Sequence, residues 1–179
     1  MKRNLLICLV AVTGILMVAC SKNSDNNTDI KAAYKSGKYA AKGTITLTAG
    51  GVNYSIPMKS VEIITTMTNQ ILINAQDTTI AGLSTPFVII EINSTSSVIT
   101  AGTYAITGTS ADAYTSVTYN KSLSQYEAVA SITGSSATIN ITKLTDTVIQ
   151  GTFTATVVSQ AKSGGSNVVI TNGIINCTY

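Results

Sequence analysis

The sequence predicts an all-β domain, an antiparallel meander of roughly ten strands forming a flattened barrel or a β-sandwich. Three observations predict it. Charged residues make up only 11% of the chain, while Thr, Ser and β-branched apolar residues are abundant, a composition suited to pleated, half-buried surfaces. Short runs alternate apolar and polar residues, as in "ATINITK", where Ala137, Ile139 and Ile141 share one side. Groups rich in turn-forming residues ("TNQ", "NKSLSQ", "TGSS", "LTDT", "AKSGGS", "TNG") divide these runs at short intervals.

The chain divides into three parts. Residues 1–19 open with Lys2 and Arg3 and continue as an apolar run from Leu5 to Ala19. That is the form of a secretory signal, and the run is shorter than the roughly 20 apolar residues a spanning helix needs. Residues 20–42 are polar and read as a flexible tether, with a short helix expected over Asp29–Lys35. Asp25, Asn27 and Asp29 are spaced like the opening of a calcium loop. Ile30 and Ser36 stand where that loop needs Gly and a bidentate Glu, so the calcium reading fails. Residues 43–179 form one all-β domain, long enough to bury a core without disulfides.

Within that domain the clearest element is the hairpin "GTITLTAGGVNYSIPMK", Gly43 to Lys59. Gly50-Gly51 suits a two-residue turn with positive φ at both positions. This register opposes Ala49 to Val52, Leu47 to Tyr54 and Ile45 to Ile56 on one face, and Thr48 to Asn53 and Thr46 to Ser55 on the other. A slip of one residue would destroy that sorting. Further strands are expected over Ser60–Met67, Ile71–Ala75, Phe87–Ile92, Gly102–Thr107, Tyr114–Asn120, Tyr126–Thr133, Ala137–Lys143, Val148–Val158, Val168–Thr171 and Ile174–Thr178. "FVIIEI" is apolar on both faces, which places it centrally, and Pro86 precedes it where a missing N–H costs little. "GTITLT", "GTYAIT" and "GTFTAT" echo one another, but at unequal separations, which gives no support to a solenoid or propeller.

Several chemistries are excluded. The chain has no histidine, which removes Ser-His-Asp and Cys-His machinery and most zinc sites. Cys8 leaves with the signal, Cys20 ends it, and Cys177 is then alone, an inert buried thiol near a strand end. Ser159-Gln160-Ala161-Lys162 has the Ser-x-x-Lys spacing, but the accompanying Ser-Asp-Asn and Lys-Thr-Gly elements are missing. Neither a phosphate loop nor an extended basic stripe occurs. Losing Lys2 and Arg3 takes the formal charge from +3 to +1, so no nucleic-acid partner is expected. No metal, cofactor or catalytic residue is assigned. A carboxylate-dependent glycoside hydrolase would need two of Glu62, Glu91 and Glu127 in one cleft. Tyr104, Tyr114, Tyr119 and Tyr126 offer a sugar platform, or else ordinary cross-strand packing.

Met17-Val18-Ala19-Cys20 resembles the lipobox of bacterial lipoproteins, with Met17 where Leu is usual. The resemblance implies cleavage before Cys20, a diacylglycerol on its thiol and acylation of the new amine. Several acyl chains hold a protein on a membrane stably, where one is marginal. "AGTYAIT", "INITKLTDTVIQGTFTATV" and "VVITNGIINCTY", within residues 101–179, are similar to an uncharacterised family of small Bacteroidota envelope lipoproteins. That likeness implies an envelope-attached β domain and brings no activity. Asp77-Thr78-Thr79 and Asp146-Thr147-Val148 resemble the O-glycosylation signal of that phylum, which would make Thr78 and Thr147 acceptors.

The expectation is therefore a non-enzymatic, lipid-anchored cell-envelope domain, on either face of the outer membrane, that binds or scaffolds a protein or glycan partner. The alternatives are a carrier of a small apolar ligand in a lipocalin-like barrel and the carboxylate hydrolase.

Overall fold

The structure is a computed structural model. It describes residues 34–65, 69–76, 86–94, 98–106, 113–121, 124–159 and 166–179. The signal region, Cys20, the helix expected at Asp29 and Thr78 lie outside these residues.

Eleven strands follow in chain order: β1 (Gly37–Ala40), β2 (Lys42–Ala49), β3 (Val52–Ile64), β4 (Asn69–Gln76), β5 (Phe87–Ser94) and β6 (Gly102–Ala105), then β7 (Ala113–Lys121), β8 (Ser124–Ala128), β9 (Ser136–Leu144), β10 (Val148–Ser159) and β11 (Val168–Thr178). Every pairing is antiparallel. Eight strands close a barrel in the order β11-β2-β3-β4-β5-β7-β8-β10, with β10 returning to β11. The other three are additions: β9 lies on β10, β6 on β9, and β1 on β3.

Two long strands turn the corners. The first half of β3 pairs β2, from Val52 to Pro57. After a register shift between Met58 and Ser60 its second half pairs β4, while β1 takes its other edge. β10 runs beside β9 through Thr156 and then meets β8 at only two positions, Val158↔Glu127 and Ser159↔Tyr126. The barrel is therefore flattened into two sheets. One, the threonine sheet, contains β2, β11, β10, β9, β6 and the start of β3. The opposite sheet contains β4, β5, β7, β8, β1 and the rest of β3.

Between them lies a core of isoleucine. Ile45, Ile71, Ile73, Ile90, Ile92 and Ile139 are among the largest fully buried side chains, all of which are Ile. β-branching restricts χ1 at little cost on a pleated strand, so isoleucine fills a sheet interior with little entropy lost. Ile45, Ile73, Ile90, Ile139, Ile149 and Ile170 have no accessible surface at all. None of these six side chains borders a water-sized void, so they are closely packed.

The expected hairpin forms in the expected register, from Ala49↔Val52 to Ile45↔Ile56. Gly50 and Gly51 sit at φ 56° and 80°, the left-handed conformation that a side chain resists. β5 is central, between β4 and β7. Four expectations change. The second strand of the hairpin and the strand expected over Ser60–Met67 are one, β3, and the strand expected over Tyr126–Thr133 ends at Ala128. "TNG" does not break β11; it is a bulge within a continuous strand. The tether reading runs to residue 42, yet Gly37–Ala40 pairs with Ser60–Ile63 and Tyr34 is buried in the core. Tyr39 also packs on the C-terminal Tyr179, ring centroids 5.1 Å apart, so the ordered body starts before Gly43.

Candidate functional site

The three Gly-Thr echoes all fall in the threonine sheet, as β2, β10 and β6. Gly43 and Gly151, which open two of them, lie where an added Cβ would sit 2.1 Å from the Asn176 carbonyl oxygen and 2.3 Å from that of Asn140. The threonines that follow point outward. One row crosses six strands: Thr103 (β6), Asn140 (β9), Thr152 (β10), Ile174 (β11), Thr46 (β2) and Ser55 (β3). At about 4.8 Å per strand that row is about 24 Å long. A second row, one pleat along, joins Ala105, Thr138 and Thr154.

The bulge interrupts this grid. Opposite β10, Phe153 pairs Gly173 and Ala155 pairs Ile170, so Thr171 and Asn172 together face Thr154. β2 shows the same insertion, with Thr171↔Thr48 followed by Ile174↔Thr46. The extra residue is absorbed at Asn172, at φ 52°, the one non-glycine with positive φ among the described residues. Asn tolerates that conformation better than other side chains. Next to it, Gly173 faces the Phe153 ring so closely that a Cβ would lie 2.5 Å from Cδ1 and Cε1. The sequence Thr171-Asn172-Gly173 thus serves the bulge and the packing of Phe153.

The result is an open groove of about 480 Å³ on the outside of the threonine sheet. Thr138, Asn140, Thr152, Thr154 and Asn172 line its polar part, Ile174 its apolar step, and Phe153 and Gly173 its floor. All are uncharged. Ile174 is 50% exposed, an unusual position for a large aliphatic side chain. Asn140 Oδ1 accepts a long bond of 3.4 Å from Thr103 Oγ1. Among the described residues, no intrachain hydrogen bond engages the hydroxyls of Thr138, Thr152 and Thr154 or the carboxamide of Asn172. The signal for these residues was present in the Thr alternation, but only sheet pairing brings β9, β10 and β11 together.

The other candidates are dispersed. Thr147 is exposed in the turn between β9 and β10, where its backbone carbonyl accepts from Tyr179 N at 3.0 Å. It lines a second groove, of about 290 Å³, with Lys42, Thr178 and Tyr179. Glu62 and Glu91 share a row on the outer face of the opposite sheet, with Leu72 between them. Glu62 pairs with Lys38 at 3.7 Å, and Glu91 accepts from Gln70. Glu127, on β8, accepts from Gln125 at 2.6 Å. Tyr104, Tyr119 and Tyr126 pack against the core rather than form a platform. Tyr119 is buried and tilted against Tyr126, 6.0 Å away across the β7–β8 pair, while the Tyr104 hydroxyl donates to the Thr100 carbonyl at 2.6 Å. Burial, followed by the neighbouring Tyr54, raises the Tyr119 hydroxyl pKa well above its ordinary value. Tyr114 lies on β7, its side chain outside the described set. Cys177 is fully buried, and burial pushes its thiol up to about 11. No helix among the described residues is long and apolar enough to cross a membrane.

Comparisons with protein-family models, curated proteins and solved structures give no match. The functional reading therefore rests on sequence signals and on this geometry.

Proposed function

We propose that the chain is a non-enzymatic, lipid-anchored outer-membrane domain that binds a partner through the outside of its barrel. The observation that supports it is the contrast between a packed interior and an open groove on the threonine sheet. An eight-stranded barrel is just wide enough for side chains to fill or for one small ligand. Here isoleucine fills it, which favours surface binding over the carrier reading. The basic start, the short apolar run and Met17-Val18-Ala19-Cys20 favour the anchor at Cys20. Thr78 and Thr147 are proposed as O-glycan acceptors on the Asp-Thr pattern, and intact mass of the native protein tests them: an unmodified mass removes the idea.

Metabolic labelling with an alkyne-tagged fatty acid tests the anchor. The wild-type chain takes the label and fractionates with membranes, and Cys20→Ser abolishes the label. A Cys20→Ser chain that still takes the label, or a wild-type chain that takes none, refutes it. Native mass spectrometry of the Cys20→Ser protein tests the binding mode. A retained small apolar mass would replace surface binding with the carrier reading.

A further inference from the structure

We propose that the groove around Asn172 is a binding site for an uncharged oligosaccharide chain. The proposal rests on the surface-binding reading above and names its ligand class.

Four properties of the groove select that class. Its volume, about 480 Å³, falls within the range of about 300–1,000 Å³ typical of small-ligand sites. It is open, so a polymer can enter along the face and leave at the other side, whereas a compact cofactor would be poorly enclosed. No lining residue is charged, so an anionic glycan, a phosphate or a cation finds no counter-charge there. The polar groups on offer are hydroxyls and carboxamides that both donate and accept, which suits a ligand made of hydroxyls. Thr152 and Thr154 stand two residues apart on one strand, Thr138 lies across from Thr154, and Asn140 lies across from Thr152. This gives four polar side chains on a grid of about 4.8 by 6.8 Å, with Asn172 at its margin.

The exposed Ile174 completes the groove. It pairs across from Thr152 and offers an apolar step on which the C–H face of a sugar ring can rest. A protein partner fits less well. A dry sheet-to-sheet contact would bury the hydroxyls of Thr138, Thr152 and Thr154 without guaranteed partners, at a cost for each. The same grid could instead order water into an ice-like layer. The concavity and the bulge break the flat regularity that such a layer needs, so the sugar chain is favoured.

The test is an array printed with neutral and acidic oligosaccharides, probed with the full-length lipoprotein in detergent. Three single variants and the double variant Thr154→Val with Asn172→Gly accompany the wild type. Thr154→Val keeps the shape of the side chain and removes its hydroxyl. Asn172→Gly keeps the left-handed backbone and removes the carboxamide. Thr44→Val, on the same sheet but outside the groove, is the control. The expected result is binding to one or more neutral oligosaccharides, lost by about tenfold in Thr154→Val and Asn172→Gly combined and unchanged in Thr44→Val, all with equal melting temperatures. The proposal is overturned if no neutral oligosaccharide binds, if only acidic ones bind, or if the groove variants bind as the wild type does. Ice-recrystallisation inhibition that disappears in the same variants would also overturn it, in favour of ordered water. Fatty-acid labelling of the same preparations reports the anchor separately, so a labelled protein with an inert groove sinks this inference alone.

Discussion

Gly173→Ala is the most informative single change, because its cost follows from distances already in the structure. The added Cβ would lie 2.5 Å from Cδ1, Cε1 and the carbonyl oxygen of Phe153. Ordinary carbon contacts fall at about 3.5–4.0 Å, so the neighbours must retreat by about 1 Å. Neither can do so cheaply. The ring is 2% exposed and packed in the core. The carbonyl belongs to β10, which is hydrogen-bonded to β9 on one edge and β11 on the other. Overpacking of this kind costs typically about 1–3 kcal/mol, and two simultaneous clashes place this case near 3 kcal/mol. At about 2–4 °C per kcal/mol for a domain of this size, the melting temperature falls by about 6–12 °C. Two further glycines calibrate the measurement, made by circular dichroism on a Cys20→Ser background to avoid acyl chains. A Cβ at Gly102 meets nothing within 4 Å, so Gly102→Ala is neutral or stabilises by about 0.4–1 kcal/mol. Gly50 also has open space but sits at φ 56°, so Gly50→Ala costs about 1–2 kcal/mol from backbone conformation alone. Phe153→Leu should recover part of the Gly173→Ala loss by removing the ring clash and leaving the carbonyl one. A Gly173→Ala protein melting within 2 °C of wild type, or a Gly102→Ala protein falling as far, would refute the account of the bulge.

Three other outcomes follow from the same structure. Burial raises the thiol of Cys177 from its ordinary 9.0 to about 11, and it also raises the hydroxyl of Tyr179. The unfolded chain therefore releases these protons first, and stability present below about pH 9 is lost as pH rises toward 11. Thermal melts from pH 8 to 11 should show that decline, with a thiol reagent at pH 8 modifying Cys177 only after denaturation. A chain beginning at Gly43 lacks Tyr34, Tyr39 and β1, so it should lose at least about 3 kcal/mol in urea unfolding relative to one beginning at Asn23. Equal midpoints and slopes would show that β1 contributes nothing. Asn172→Val places a β-branched residue at φ 52° and should destabilise by about 2 kcal/mol, whereas an unchanged melt would mean the bulge residue is relaxed.

What the sequence showed and what it hid follow a physical divide between local and long-range determinants. The Gly50-Gly51 hairpin was legible to the residue, because turn chemistry and the sorting of Ile45, Leu47, Ile56 and Tyr54 are set within about fifteen positions. "FVIIEI" was legible as central because a run of large apolar residues is a poor sheet edge, and β5 lies between β4 and β7 with Val88, Ile90 and Ile92 buried and the alternate residues half-buried. Thr171-Asn172-Gly173 was not, because a left-handed Asn followed by Gly is the same local signal whether the chain reverses or merely bulges. Only the pairing of Ile174 and Ile175 with β2 and of Gly173 with β10 decides between them. β1 was hidden for the related reason that four residues with an exposed Lys38 show no resolvable period, and their partner Ser60–Ile63 lies over twenty positions away. The groove belongs to this second class entirely. Its polar residues come from β9, β10 and β11, each an ordinary alternating strand by itself. The Gly-Thr echo nonetheless carries a structural meaning that unequal spacing concealed. β2 and β10 are the two neighbours of β11, each carrying a glycine pressed against a neighbouring carbonyl just before its outward threonines. A face built this way is held by its own ladder of backbone bonds, with the bulge in β11 opening the groove, while the isoleucines beneath form the core. Of its outward threonines, Thr152 and Thr154 line the groove, whereas Thr44, Thr46 and Thr48 are half-buried on β2 and Thr48 donates to Asn53 Oδ1 at 2.7 Å, so the same Thr alternation serves the pleated sheet at one end and leaves hydroxyls open at the other.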